Sequence, residues 1–210
     1  MKRLMPALFF VICVGCSLLS KSEPTIVRYF TPDMPSRPQS RAEAGAPMPA
    51  DARGAELRLG RINAASYLRD KIVFRQLDHE IGYYEDFRWT ERPEAYLRRA
   101  LQRALFEERG LQQSVSGPGS ILEIELHAFD ELRTPRRAGR VSLTWLLRDE
   151  RTVFAQASIV VERPLGDAAD MAAVAQGMSE ALSEAVQRVV DGVLAELGKR
   201  PERHNDGGGP

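Results

Sequence analysis

Three segments of period-two alternation between residues 122 and 161 constrain this chain more than any other feature. Leu122, Ile124, Leu126 and Ala128 alternate with Glu123, Glu125, His127 and Phe129. Val141, Leu143, Trp145 and Leu147 repeat the pattern, and Val153, Ala155, Ala157, Ile159 and Val161 repeat it again. Successive side chains of a strand point to opposite faces, so these segments predict a sheet packed on one side and wetter on the other. Phe129 falls on the polar phase of its strand in this reading, which makes it a candidate surface anchor. Asp149-Glu150-Arg151 is a tight turn, and Thr134 to Gly139 is a basic, exposed connection, so the three strands form an antiparallel meander.

A one-sided sheet needs a cover, and two amphipathic helices supply it. After Pro93, which suits a first helical turn, Leu97, Leu101, Ala104 and Leu105 recur at helical spacing from Glu94 to Glu107, with Arg98, Arg99, Gln102 and Arg103 facing away. Gly110 is the expected stop. Near the end of the chain Met171, Val174, Met178, Leu182, Ala185, Val189 and Val193 fall on one stripe, closed by Gly198. Shorter strands precede the first helix: Thr25 to Phe30, Glu56 to Ile62 with a kink at Gly60, and Lys71 to Leu77 and Glu80 to Asp86 around Asp78-His79. The expected fold is α+β, a two-layer domain with a mostly antiparallel sheet and two main helices packed on one face. It spans residues 25–198, with a Pro-rich loop or linker at 31–54 and a disordered tail at 199–210.

The N-terminus reads as a leader. Lys2 and Arg3 precede an uncharged run from Leu4 to Val14, too short to span a bilayer, which takes roughly 20 apolar residues. Gly15-Cys16 closes the run and resembles the lipobox of bacterial lipoproteins, although Cys13 stands where leucine is usual. The expectation is a signal peptide at 1–15, acylation of Cys16 and a lipidated tether at 16–24. Membrane lipid is then the first partner, each buried methylene of the acyl chains contributing roughly 0.8 kcal/mol. Ser17, where an aspartate would signal inner-membrane retention, resembles an outer-membrane destination on the periplasmic face. The chain holds two cysteines; cleavage removes one and acylation uses the other, which leaves no disulfide framework, thiolate metal site or cysteine nucleophile.

Chemistry-bearing motifs are sparse. His79, His127 and His204 are scattered, without metal-ligand spacing. Ser114, Ser116 and Ser120 flank Gly117-Pro118-Gly119, which is a turn rather than a nucleophile elbow. No phosphate-binding loop is present, and no cofactor or metal is expected. With 29 basic and 29 acidic residues there is no basic excess to attract nucleic acid. The remaining candidates are aromatic, since interfaces favour Tyr, Trp and Arg. Tyr83 and Tyr84 are adjacent on one strand and point to opposite faces. Trp89 sits at the strand-to-helix corner, where a structural plug competes with a partner contact.

The run YLRDKIVFRQLDHEIGYYEDFRWTERPEAYLRRAL carries a family resemblance. Tyr67, Leu68, Ile72, Val73, Phe74, Arg75, Tyr83, Tyr84, Arg88, Trp89, Pro93 and Leu97 match the pattern of the ABC-type transport auxiliary lipoproteins, the PqiC-like group. The resemblance extends from about Thr25 to Leu197. It implies a non-enzymatic envelope component that docks an ABC transport system, through an MCE-domain protein that moves lipid between membranes, at the outer membrane. A homo-oligomeric ring would suit an oligomeric partner. Two other readings stand beside it: a lipoprotein regulator of a cell-wall synthase, and a lipid carrier with a pocket lined by the helix stripe.

Overall fold

The computed structural model describes residues 26–32, 55–77, 79–117, 119–166 and 170–199. The leader, Cys16, the tether, most of the Pro-rich segment and all but Lys199 of the tail lie outside the described residues. Eight strands and two helices follow one another as β1 (Arg28–Phe30), β2 (Glu56–Ala64), β3 (Lys71–Leu77), β4 (Glu80–Trp89), α1 (Pro93–Gln102), β5 (Gln112–Gln113), β6 (Ser120–Leu132), β7 (Ala138–Arg148), β8 (Val153–Pro164) and α2 (Met171–Gly198). The helix begun by α1 continues through a π-helical segment, Arg103–Glu108.

The meander is present: β6 pairs antiparallel with β7, and β7 with β8, over nearly their whole lengths. β6 organises the rest. Its other edge is shared by two strands in succession, β2 along Ser120–Leu126 and β3 along Asp130–Leu132, both parallel to it. β4 pairs antiparallel with β3, and β1 adds a short parallel edge to β4. The sheet is therefore mixed, with antiparallel pairing in its long ladders, and the fold is α+β.

Both helices cover one face. α2 packs on β6, β7 and β8, and α1 packs on β2 and on α2. The full stripe expected on α2, from Met171 to Val193, is buried. A second row, Ala181, Val186, Val190, Leu194 and Leu197, is buried as well, because α2 meets α1 in addition to the sheet. The Asp170 carboxylate caps the helix by accepting from the Ala172 N–H at 3.0 Å.

α2 passes close to the sheet at Gly139 of β7. A Cβ there would lie 3.0 Å from the Gly177 carbonyl carbon and 3.1 Å from the Met178 backbone nitrogen. Backbone cannot swing aside, so Gly139→Ala is expected to lower stability by about 1–3 kcal/mol, as overpacking does. Urea unfolding checks this; an unchanged midpoint would show that helix and sheet can part freely here.

The other sheet face is polar and follows the period-two pattern. Arg148 of β7 bonds Glu123 of β6 at 2.8 Å, and His127 Nε2, Thr144 Oγ1 and Ser158 Oγ form a chain of 2.9 Å contacts across β6, β7 and β8. The Arg148 hydrogen bond holds the Glu123 carboxyl below its ordinary value.

Candidate functional site

The residues that carry the motif assemble around three irregularities in the sheet. A bulge frees backbone carbonyls from the ladder, and a freed carbonyl needs a donor. In β2 the register shifts between Leu59 and Ile62, and Arg98 of α1 donates to the Gly60 carbonyl at 3.1 Å. Arg98 thus turns to the sheet rather than away from it. In β6 the register shifts at His127, and the Tyr67 hydroxyl donates to the His127 carbonyl at 2.6 Å. In β4 the register jumps between Tyr83 and Arg88. There the Arg88 guanidinium donates to the carbonyls of Tyr84, Glu85 and Phe87 at 3.1, 2.8 and 3.0 Å.

The β6 bulge also corrects the phase expected for Phe129. One extra residue between Leu126 and Ala128 swaps the faces of everything after it. Phe129, expected on the polar phase, is 0% exposed and faces the helices. Its ring meets Trp89 edge-on at 5.5 Å between centroids. Trp89 is likewise buried, closing the corner between β4 and α1. Beside it the Tyr96 hydroxyl accepts from the Glu91 N–H at 2.9 Å and contacts Thr90 Oγ1 at 2.7 Å.

The same swap decides which face each of two consecutive carboxylates of β6 takes, and both side chains are fully buried. Asp130, on the polar face, accepts a fork from Arg140, Nε to Oδ1 at 2.9 Å and Nη2 to Oδ2 at 2.8 Å, with Arg75 Nε at 3.4 Å. Glu131, on the helix side, accepts from the Tyr84 hydroxyl at 2.5 Å and from Arg137, with Arg133 at 3.7 Å. Burial, and after it the hydrogen bond to Glu131, pushes the Tyr84 phenol above its ordinary value; burial and then the Asp130 charge do the same for Tyr67. These carboxylates are neutralised by guanidinium groups and engaged in structure. Together they fasten the junction between β3, β6 and β7. Among the described residues no cluster of His, Cys, Asp and Glu is arranged to hold a metal ion.

Tyr83 and Tyr84 lie on opposite faces. Tyr83 shares the polar face with Val73, its partner across the ladder, and is 41% exposed. Tyr84 lies on the helix side, in a half-buried cluster with Phe30, Phe74 and Phe87. Its ring is 5.3 Å from Phe74 and 5.5 Å from Phe87, and Phe30 meets Phe87 at 5.6 Å. The Arg133 guanidinium stacks 3.4 Å above the Phe74 centroid, and Arg28 stands 5.4 Å from Phe30. Phe74 can lie flat because Gly82 is beneath it; a Cβ on Gly82 would come within 2.2 Å of the Phe74 ring. The cluster sits on β1, β3 and β4, beyond the strands that the helices cover. Phe30, Phe74, Phe87 and the arginines escaped the sequence reading because they come from three separated segments. The one signal for the rings was the motif, whose run contains Phe74 and Phe87.

A shallow depression of about 310 Å³ lies between the end of β2 and the start of α1, lined in part by Asn63, Arg69, Arg92 and Glu94. Its charged rim does not suit an acyl chain, and the α2 stripe that could have lined a lipid pocket is closed core.

The model of the ABC-type transport auxiliary lipoprotein component family matches residues 39–190. The chain belongs to this family. The auxiliary lipoprotein also shares its fold with solved structures. Protein XCC0632 from Xanthomonas campestris, of the DUF330 family, aligns with a TM-score of 0.67 at 20% identity, covering 82% of this chain and 97% of its own. A second, an uncharacterized protein, aligns with a TM-score of 0.58 at 13% identity over 70% of this chain and 96% of its own. These likenesses concern the fold. No curated protein matches the auxiliary lipoprotein.

Proposed function

We propose that this auxiliary lipoprotein is a non-catalytic adaptor, anchored through acylated Cys16 to the periplasmic face of the outer membrane, that docks an ABC/MCE-type system for moving lipid between membranes. Family membership carries the transport role. The observation that supports docking is the cluster of Phe30, Phe74, Tyr84 and Phe87 with Arg28 and Arg133. Half-buried rings flanked by guanidinium groups outside the helix layer have the composition of interface anchors. Glu131 beneath them, paired with Arg137 and bonded by the Tyr84 hydroxyl, helps hold the rings in place.

The test is an in-cell crosslink with a photoreactive residue at Phe87 or Tyr84, in the wild-type and Cys16→Ala backgrounds. Capture of an MCE-domain protein from the membrane fraction is the expected result. The Cys16→Ala protein is expected in the soluble periplasm, since the acyl chains supply its membrane affinity. Unchanged membrane fractionation of that variant would end the anchoring claim, and capture of a cell-wall synthase would end the transport adaptor claim.

A further inference from the structure

At the edge where the described chain begins, apolar and aromatic side chains stand in solvent. Ile26 is 79% exposed, Val27 40%, Tyr29 64% and Tyr83 41%. They are not scattered. Tyr29 of β1 is in register with Arg88 of β4, and Arg88 with Lys71 of β3. The Lys71 ammonium stands 6.0 Å from the Tyr83 ring. Neighbours in register share a face, so Tyr29, Arg88 and Lys71 form one row across three strands; Tyr83 lies on the same face one pair further along, opposite Val73, and Ile26 and Val27 are just upstream of Tyr29. On this face Asp70 lies 3.6 Å from Arg88, and Glu85 and Asp86 lie between Tyr83 and Arg88 in β4.

We infer that this edge, Ile26, Val27, Tyr29 and Tyr83 with Lys71, rests on the lipid surface to which the protein is anchored. The inference depends on acylation of Cys16 and adds an orientation to it. Ten positions separate Cys16 from Ile26, and ten residues reach at most about 35 Å even when fully extended. Every other part of the domain is joined to the anchor through this edge, which therefore meets the headgroups at the highest local concentration. Its composition suits that place. Tyrosine partitions to the membrane–water interface, a basic side chain extends its stem along apolar surface with its head in water, and short apolar residues enter the acyl boundary. Acyl chains combined with a second contact hold a protein more firmly than either alone. The far edge, β8, lies five strand spacings away along β1-β4-β3-β6-β7-β8, about 24 Å. Its exposed Val160 is a control of similar character.

The full acylated protein is reconstituted into phosphatidylethanolamine/phosphatidylglycerol vesicles carrying a nitroxide-labelled lipid. An environment-sensitive fluorophore is attached at Val27→Cys or at Val160→Cys; once Cys13 is removed and Cys16 acylated, these are the free thiols. Co-flotation with vesicles is read separately from quenching. The expected result is co-flotation of both, quenching several-fold stronger at position 27, and loss of that excess when Ile26→Asp and Tyr29→Asp are added, with flotation kept. Equal quenching at both positions in a protein that floats overturns the orientation and leaves the anchor standing. Shielding of position 27 only when a partner protein is added also overturns it, because the edge would then be a protein interface. Failure to float overturns the anchor and this inference together.

Discussion

Phe129→Ala is expected to lower the stability of the domain by about 3–5 kcal/mol, the range for truncating a buried aromatic. For a domain of this size that is a fall in Tm of roughly 6–20 °C. Phe129 is 0% exposed and supports Trp89 at the corner from which α1 departs. The edge-on pairing of the rings adds about 0.5–1.5 kcal/mol beyond the buried area, so part of the loss reflects a loosened Trp89. Tryptophan fluorescence should shift to the red in the variant before unfolding begins. Val160→Ala, on the exposed edge, is the comparison and should stay within about 0.5 kcal/mol of the parent. If Phe129→Ala matched that control, the bulge at His127 would not exist in solution and Phe129 would belong to the surface after all.

Arg140→Ala is expected to cost about 3–5 kcal/mol, because it leaves a carboxylate in the fold without its principal partner. The Asp130 side chain has no solvent exposure, and Arg140 supplies both arms of the fork that neutralises it. Arg75 stays at 3.4 Å and should hold the loss toward the lower figure. Arg140→Lys keeps the charge but cannot reproduce two parallel N–H donors, so its stability should fall between the parent and Arg140→Ala. Urea midpoints of the three proteins decide the matter. Equal stability of the lysine and alanine variants would mean that the fork is not what holds Asp130, and that the junction between β3, β6 and β7 is fastened elsewhere.

Much of the fold was legible because it rests on periodicity. The alternation in β6, β7 and β8 is a local property of the chain, and the α2 stripe is another; each reports one buried face directly. α1 was legible for the same reason, β1, β3 and β4 were legible as short apolar segments, and the motif joining β3, β4 and α1 was legible as a resemblance. Phe129 shows where this stops. A strand pattern is read by counting in twos, and a bulge adds one to the count without any mark in the residues His127-Ala128. Every position beyond it then changes face, so Phe129 moved from surface to core. Arg98 shows a second limit. Its place on the helix predicts solvent, but the bulge at Gly60 offers a carbonyl within reach, and a long flexible cation follows the unmet acceptor.

The candidate surface was less legible than the fold. Tyr83 and Tyr84 were placed on opposite faces by strand geometry, which needs two neighbouring residues and nothing else. The cluster around Tyr84 needs Phe30, Phe74, Phe87, Arg28 and Arg133 at once, and only the sheet order β1-β4-β3 brings those segments together. The sequence by itself determined the longer elements, the helix-covered face and the family, because periodicity and motif spacing are properties of contiguous residues. The tertiary structure decided the phase of β6 beyond its bulge, the pairing of Asp130 and Glu131 with four arginines, and which aromatic rings stand free. Those depend on register between distant strands, where a shift of one residue exchanges the inside of the protein for its surface.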